Sequence, residues 1–137
     1  DIGKLYIPAD ILNRPRVLTP LEYKLVKMHS QSGRDILSKI KLPWPLAEIV
    51  FQHHERIDGS GYPFRRKGDE LSVESRIIIV ADIFQALAQN RPYRAPLPLD
   101  TIVDILARQA SDGKLDPDIV AIVQAEPDQC LAVATGQ

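Results

Sequence analysis

The sequence has a single cysteine, Cys130, which excludes a disulfide framework within the chain and favours a reducing compartment. No apolar run approaches the ~20 residues that a membrane span needs, and no signal peptide is visible. Charge of one sign is also missing, because 17 basic residues balance 18 acidic ones and leave a net charge of −1. We therefore expect a cytoplasmic protein with no membrane segment and no strong attraction to a nucleic acid duplex. An anionic ligand would have to be attracted by local basic residues or by metal ions.

The remaining composition is that of an ordinary globular domain. Hydrophobic residues make up 45% and charged residues 26% of the 137 residues, which predicts one domain with a real core. The chain begins at Asp1 without a methionine. We expect it to be part of a longer protein.

The hydrophobic pattern predicts helices and no convincing strand, and hence an all-α domain of five or six helices. Thr19 followed by Pro20 and Glu22 is typical of a helix start, with an N-cap, a proline at the first position and a capping box. Residues 2–16 are predicted to form a loop, and the tail beyond residue 125 is not assigned. The predicted helices are 20–30, 33–40, 46–54, 73–89, 99–110 and 117–125.

The chain has only three histidines, and two of them are adjacent. Neighbouring side chains on a helix point ~100° apart, so His53 and His54 suit two neighbouring metal ions better than a single ion. His29 ends a predicted helix, where an imidazole can also serve simply as a partner of the helix dipole. At this point both interpretations of His29 stay open.

Asp82 lies in a predicted helix that is apolar nearly all round, and we therefore expect it to be buried. A buried carboxylate needs a cation, a metal or several hydrogen-bond donors. One hypothesis is a buried salt bridge, for instance with Arg76 or Arg91. The other is a metal cluster whose nitrogen and oxygen ligands, with no thiolate, favour iron, manganese or zinc. This cluster would consist of His29, His53, His54 and Asp82.

A glycine-rich turn, residues 58–63, follows the histidine pair. Glycines there allow a ligand or a partner to approach the main chain closely, although a plain tight turn explains the same residues. Glu55 and Asp58 have no role assigned beyond orienting the turn. Arg91 and Arg94 are better placed than the basic residues at 65–67 to meet an anion, and arginine suits bidentate contact with phosphate or guanine.

The blocks HHERIDGSGYP, VADIFQAL and RPYR closely resemble the HD-GYP domains, a branch of the HD phosphohydrolase superfamily. The opening DIGK resembles the end of the family's His-Asp-x-Gly-Lys signature, and DGKLDPDIV resembles its Gly-x-x-Phe-Asp-Pro segment. The resemblance implies that residues 1–137 are one HD-type helical bundle without the family's N-terminal helices. It also implies two or three metal ions, iron or manganese most often, and hydrolysis of the bacterial second messenger cyclic di-GMP to pGpG or GMP.

The same resemblance implies roles for particular residues. Asp1 matches a metal ligand that can bridge two ions, and Lys4 matches a catalytic lysine near the scissile phosphate. Arg91 and Arg94 match positions that hold the dinucleotide. The further metal ligands are His29, His53, His54 and Asp82. The loop linked in the family to substrate access and to contacts with GGDEF-domain proteins corresponds to Asp58, Gly59, Gly61, Tyr62 and Pro63.

The sequence departs from the family pattern in three places. The histidine expected directly before Asp1 is not in this chain, Gln85 replaces a common aspartate, and Ala88-Gln89-Asn90 replaces Thr-Ser-Asp. Both of the later departures are expected near the pocket. Two alternatives follow: a catalytically weak module that binds cyclic di-GMP or docks a GGDEF-type partner, or an HD-type hydrolase of another cyclic dinucleotide or nucleotide. We also expect an upstream sensory or receiver domain in the parent protein.

Overall fold

The computed structural model describes residues 1–13, 16–91 and 94–136. Pro15 of the predicted N-terminal loop, and Pro92 and Tyr93 of the RPYR block, lie outside the described residues. Two 3-10 helices span Ile2–Tyr6 and Gly68–Glu70. The α-helices are α1 (Ala9–Leu12), α2 (Pro20–Lys27), α3 (His29–Leu37), α4 (Leu46–Gln52), α5 (Val73–Ala88), α6 (Leu99–Ser111), α7 (Pro117–Ala125) and α8 (Pro127–Thr135).

The predicted all-α class is confirmed. Within the described ranges, extended pairing is limited to isolated bridges between Asp58 and Lys67 and between Arg91 and Arg94. The helices outnumber the five or six that were predicted. A 3-10 helix and α1 occupy the predicted N-terminal loop, and α8 occupies the unassigned tail, with Pro127 in its first turn.

The helix predicted over residues 20–30 is two helices that meet at Met28. The capping box at the start of α2 is confirmed, since the Thr19 amide donates to Glu22 Oε2 at 2.8 Å and the Glu22 amide donates to Thr19 Oγ1 at 3.3 Å. His29 is the first residue of α3. Its position next to the end of α2 leaves one ring nitrogen close to α2 and the other free for a different partner.

The core lies on one face of α5, which packs against α6, α7 and α8, while α4 packs on α5 as well. The other face of α5 is open: Ile77 is 46% exposed and Ile78 is 41% exposed. The prediction that Asp82 is buried is wrong, because its side chain is 41% exposed. An apolar composition all round a helix did not mean burial all round it. The buried core consists of Leu71, Ile79, Val80, Phe84, Ala88, Ile102, Leu106, Leu115 and Val120.

Candidate metal centre

Four side chains converge where the N-terminal segment meets α3 and α4. His29 Nε2 lies 3.3 Å from His53 Nε2 and 3.0 Å from His54 Nε2. The carboxylate of Asp1 joins them, with Oδ2 at 3.1 Å from His29 Nε2 and 3.7 Å from His53 Nε2. One ligand atom from each of the four groups lies within 4.8 Å of all the others. The structure therefore brings together four of the five metal ligands that the sequence predicts.

Helix ends position the three imidazoles. His53 caps the C-terminal end of α4 and still has helical backbone angles, and His54 follows directly. His29 opens α3, which packs against α4. Asp1 reaches the histidines because the 3-10 helix Ile2–Tyr6 packs against α3. The packing of α3 against α4 thus brings His29 and His53 together, although they are 24 residues apart in the sequence.

Hydrogen bonds to backbone carbonyls fix the tautomer of two histidines. Nδ1 of His29 lies 2.6 Å from the carbonyl oxygen of Val26, and Nδ1 of His53 lies 2.5 Å from that of Val50. A carbonyl can only accept, so Nδ1 carries the proton and the Nε2 lone pair faces the cluster. His29 thus contacts the last turn of α2, as the helix-dipole interpretation proposes, and keeps Nε2 for a metal.

The arrangement of lone pairs fits a cation. Two unprotonated Nε2 atoms and a carboxylate oxygen face one another at 3.1 to 3.7 Å, an arrangement that is repulsive unless a positive charge lies between them. Metal-binding histidines typically donate a hydrogen bond from the ring nitrogen that does not contact the metal, often to a backbone carbonyl. The donor set, nitrogen and oxygen without sulfur, fits a divalent ion.

Burial keeps these imidazoles neutral. Desolvation is the main cause that lowers the pKa of His29 and of His53. It also lowers the pKa of His54 to about 2, and the nearby imidazoles of His53 and His29 disfavour its protonation further. Neutral imidazole is the form that binds a metal, so proton competition is weak at neutral pH.

Asp82 lies beside the cluster. Its Oδ2 is 3.9 Å from Nδ1 of His54, on the side of the ring away from the converging Nε2 atoms. The salt bridge to Arg76 that the sequence left open does not form, because Arg76 Nη1 pairs with Asp116 Oδ2 at 3.2 Å. Among the described residues, Asp82 has no arginine within ion-pair distance, so a bridge to Arg91 is excluded as well.

The predicted basic residues take different positions. Lys4 Nζ lies 3.2 Å from Asp1 Oδ2, which places an ammonium group at the edge of the cluster. Arg94 donates from Nη2 to the carbonyl oxygen of Ala86, four residues and so ~6 Å of helix rise from Asp82. Arg91 and Arg94 are paired through their backbones at 2.9 and 3.1 Å.

The glycine-rich loop is held by a residue whose role the sequence left open. Glu55 is fully buried, and its carboxylate accepts from the amides of Phe64 at 2.8 Å and Arg66 at 3.1 Å. Gly61 packs so closely on this segment that a Cβ atom would stand 2.5 Å from the Arg56 nitrogen. The only sequence signal for this role of Glu55 was its position directly after the two histidines. The sequence pattern did not show which backbone amides its carboxylate would accept from.

The rest of the loop has local turn chemistry. The Ser60 amide donates to Asp58 Oδ1 at 2.8 Å, and Gly59 has a φ of 80°, which favours glycine. Tyr62 stacks on His54, and the Tyr62–Pro63 peptide bond is cis. The predicted loop thus folds back onto the histidine pair.

The later departures from the family pattern lie in α5 and just after it. Ala88 is buried in the core, and Gln89 Nε2 points to the carbonyl oxygen of Ala134 in α8 at 3.5 Å. The expectation that these residues lie near the pocket stays a prediction. Gln85 is exposed.

Fold and cluster define a helical domain with a candidate metal centre of three histidines and one aspartate. Residues 1–119 match the HD domain family. The chain belongs to this family, in its HD-GYP branch. Over the described residues, no helix has the length and apolar character needed to cross a membrane.

Three relatives illustrate the likeness. A Thermotoga maritima protein named cyclic di-GMP phosphodiesterase is 42% identical over 123 residues, 88% of this chain and 33% of the relative. Two Vibrio cholerae proteins are named 3'3'-cGAMP-specific phosphodiesterases: number 1 is 39% identical over 94% of this chain and 30% of its own length, and number 3 is 40% identical over 90% and 27%. The chain spans about a third of the length of these relatives.

Proposed function

We propose that this HD-GYP domain, residues 1–137, is the catalytic part of a metal-dependent phosphodiesterase that hydrolyses cyclic di-GMP to pGpG or GMP in bacterial second-messenger signalling. The observation that carries the proposal is the convergence of three imidazole Nε2 atoms and the Asp1 carboxylate at distances of 3.0 to 3.7 Å. Because the chain spans about a third of its relatives, the proposal includes an upstream sensory or receiver domain.

The metal would be held by Asp1, His29, His53 and His54. Asp82 lies beside His54 and would provide a further ligand. We propose two or three divalent ions, iron or manganese, which when bound would supply the Lewis acidity that phosphodiester hydrolysis needs. Imidazole and carboxylate without thiolate fit iron, manganese or zinc, and the resemblance to the HD-GYP domains favours the first two. The histidines contribute by staying neutral and by presenting fixed lone pairs, which lowers the reorganisation needed for binding.

Lys4 and the two arginines would act on the substrate's charge. The ammonium group of Lys4, next to Asp1, is placed to stabilise negative charge that develops on a phosphate at the cluster. Arg94 fixes its guanidinium by one hydrogen bond to Ala86 and keeps other N–H groups for a phosphate or a guanine edge. Arg91, paired with Arg94 through the backbone, would flank the same ligand.

A second substrate is favoured by the relatives' names. Two of the three relatives described above are named for 3'3'-cGAMP, which, like cyclic di-GMP, joins two nucleotides through 3'–5' phosphodiesters.

The alternative function is a catalytically weak module that binds the dinucleotide or a GGDEF-domain partner through residues 58–63. Exposed Gln85, in place of a common aspartate, is the observation that favours this alternative.

The test is turnover by the stripped and reloaded protein. The chain is treated with chelator, reloaded with Mn²⁺ or Fe²⁺ under anaerobic conditions, and incubated with cyclic di-GMP or 3'3'-cGAMP, with products separated by chromatography. We expect linear dinucleotide or mononucleotide only with metal, and none from His53→Ala. Asp69→Asn, an exposed change, is the matched control. The same assay is run on the longer parent protein, to which the proposed activity belongs. Stoichiometric metal in the parent protein without turnover of either dinucleotide would contradict the enzyme hypothesis and favour the binding module.

A further inference from the structure

His54 differs from the other two histidines in how its ring is held. His29 and His53 each place Nδ1 against a carbonyl oxygen three residues earlier, at 2.6 and 2.5 Å. Among the described residues, Nδ1 of His54 has no hydrogen bond, and Asp82 Oδ2 lies 3.9 Å from it, beyond hydrogen-bonding distance. The orientation of the third imidazole therefore depends on something other than a backbone hydrogen bond.

Tyr62 contacts the His54 ring from outside the histidine cluster, in addition to the His53 ring, whose centroid lies 3.9 Å from that of His54. The Tyr62 ring is stacked on the His54 ring with centroids 4.8 Å apart and planes inclined by 29°. The Tyr62 amide also donates to the carbonyl oxygen of His54 at 3.2 Å, which ties the loop to the same residue. Such an offset stack restricts rotation of the imidazole about its Cβ–Cγ bond while leaving Nε2 free.

Tyr62 is in turn held from the side of α2. The ammonium group of Lys27 lies 5.6 Å from the centre of the Tyr62 ring and 4.9 Å from that of Tyr23, within the range of cation–π attraction. Burial, and then the nearby Tyr23, raise the pKa of Tyr62, so its hydroxyl stays neutral. Lys27 is the last residue of α2 and precedes His29 by two residues, so the contacts of Lys27 with Tyr23 and Tyr62 lie next to the histidine cluster.

We propose that Tyr62 positions the imidazole of His54 in the metal centre, and that Lys27 and Tyr23 hold Tyr62 in place. The inference rests on the proposed metal centre and not on the identity of the substrate. It gives the glycine-rich loop a second role, because moving the loop for substrate or partner access would also release one metal ligand. Tyr62 is a positioning residue that acts through His54.

Metal affinity of loop variants tests the proposal. Mn²⁺ is titrated into the chelator-treated chain and free Mn²⁺ is measured by electron paramagnetic resonance. Removing an outer partner of a metal ligand weakens affinity by about 10- to 100-fold, so we expect Tyr62→Leu to lose at least about tenfold. Tyr62→Phe keeps the ring and should stay within about twofold of wild type. Lys27→Met should lie between the two, and Lys27→Arg should restore wild-type affinity.

Phe64→Leu is the matched control. It removes a ring from the same loop, but the Phe64 ring packs on Phe51 with centroids 5.1 Å apart. Wild-type Mn²⁺ affinity in Phe64→Leu together with the loss in Tyr62→Leu supports the proposal. Wild-type affinity in a folded Tyr62→Leu protein overturns it, and so does an equal loss in Phe64→Leu.

Nuclear magnetic resonance of the metal-free wild-type chain gives a second test that needs no variant. We expect nuclear Overhauser contacts between the ring protons of Tyr62 and His54 and an upfield shift of the His54 ring protons. Their absence overturns the proposal even if Tyr62→Leu fails to fold. Failure of the proposed function is a separate result. If metal-loaded wild type does not hydrolyse the dinucleotides but the affinity differences among the variants are observed, the proposed function is wrong and this inference holds.

Discussion

Gly3 lies so close to α3 that a Cβ atom at its position would stand 1.8 Å from the carbonyl oxygen of His29. The same atom would stand 2.7 Å from the nitrogen of Gly33, one turn further along α3. Only glycine fits a contact with rigid backbone at this distance. The approach brings the 3-10 helix onto α3 and so places the Asp1 carboxylate 3.1 Å from the His29 ring.

Gly3→Ala is therefore expected to detach the N-terminal segment. The new methyl group cannot be accommodated by a side-chain movement, and overpacking of this kind costs about 2 kcal/mol or more. We expect a lower free energy of unfolding in denaturant titrations and weaker metal binding, since Asp1 is displaced. Gly33→Ala is the graded comparison, because its Cβ would stand 3.2 Å from a methyl of Val50 that can shift. Equal stability of Gly3→Ala and wild type would show that the contact is not made.

Glu55→Gln is expected to loosen the glycine-rich loop. The buried carboxylate accepts one amide on each oxygen, whereas glutamine has only one acceptor oxygen and would present an NH₂ group to the other amide. Leaving a buried amide unpaired costs about 1–3 kcal/mol. The free energy of unfolding measures the loss. The control is Glu70→Gln, since exposed Glu70 accepts the Lys67 amide at 2.9 Å where water can substitute. A loss in the control as large as that in Glu55→Gln would refute the argument.

The stability of the metal-free protein is expected to fall as the pH drops below about 6.5. The imidazole of His54 has an ordinary pKa of 6.5 and a folded-state pKa of about 2, so between these values the unfolded chain binds more protons than the folded chain. Stability therefore rises with pH across this window, by up to about 1.4 kcal/mol per pH unit for each such imidazole. His54→Gln should reduce the slope of Tm against pH. A flat profile from pH 7 to pH 5 would contradict the buried, neutral state of the cluster.

Asp116→Ala is expected to destabilise the half of the domain away from the cluster. Asp116 caps α7, accepting from the amides of Asp118 and Ile119 at 3.0 and 3.4 Å, and also pairs with Arg76 of α5. Loss of a helix cap costs about 1 kcal/mol, and the partly exposed ion pair adds less. Asp118→Ala, in the first turn of the same helix, is the control in thermal unfolding. Metal affinity should be unchanged in Asp116→Ala, and a loss there would mean that the two halves are coupled.

Much of the fold could be predicted because its signals are local. The capping box of Thr19 and Glu22 and the proline after Asp116 mark helix starts through contacts within one turn. The break at Met28 left no such signal, since residues on both sides are compatible with one helix. The tail helix was missed as well, because its core contacts through Cys130 and Leu131 are tertiary.

The candidate site divides in the same way. The histidines and their adjacency indicated candidate ligands, and the structure brings these side chains together. The contacts that set their geometry, Gly3 on α3 and Tyr62 on His54, join segments far apart in sequence or depend on a loop's path. Asp82 shows the opposite error: apolar neighbours suggested burial, but α5 presents that side to the surface.

The metal centre is the central feature of the proposed function, and a Mn²⁺ titration of the chelator-treated chain tests it most directly. We expect at least one equivalent of tightly bound Mn²⁺ for the wild type. Binding should be lost in His29→Ala and in His53→Ala, and retained in the surface variant Asp69→Asn. Equal binding by wild type and His53→Ala, or no tight binding by the folded wild-type chain, would contradict it.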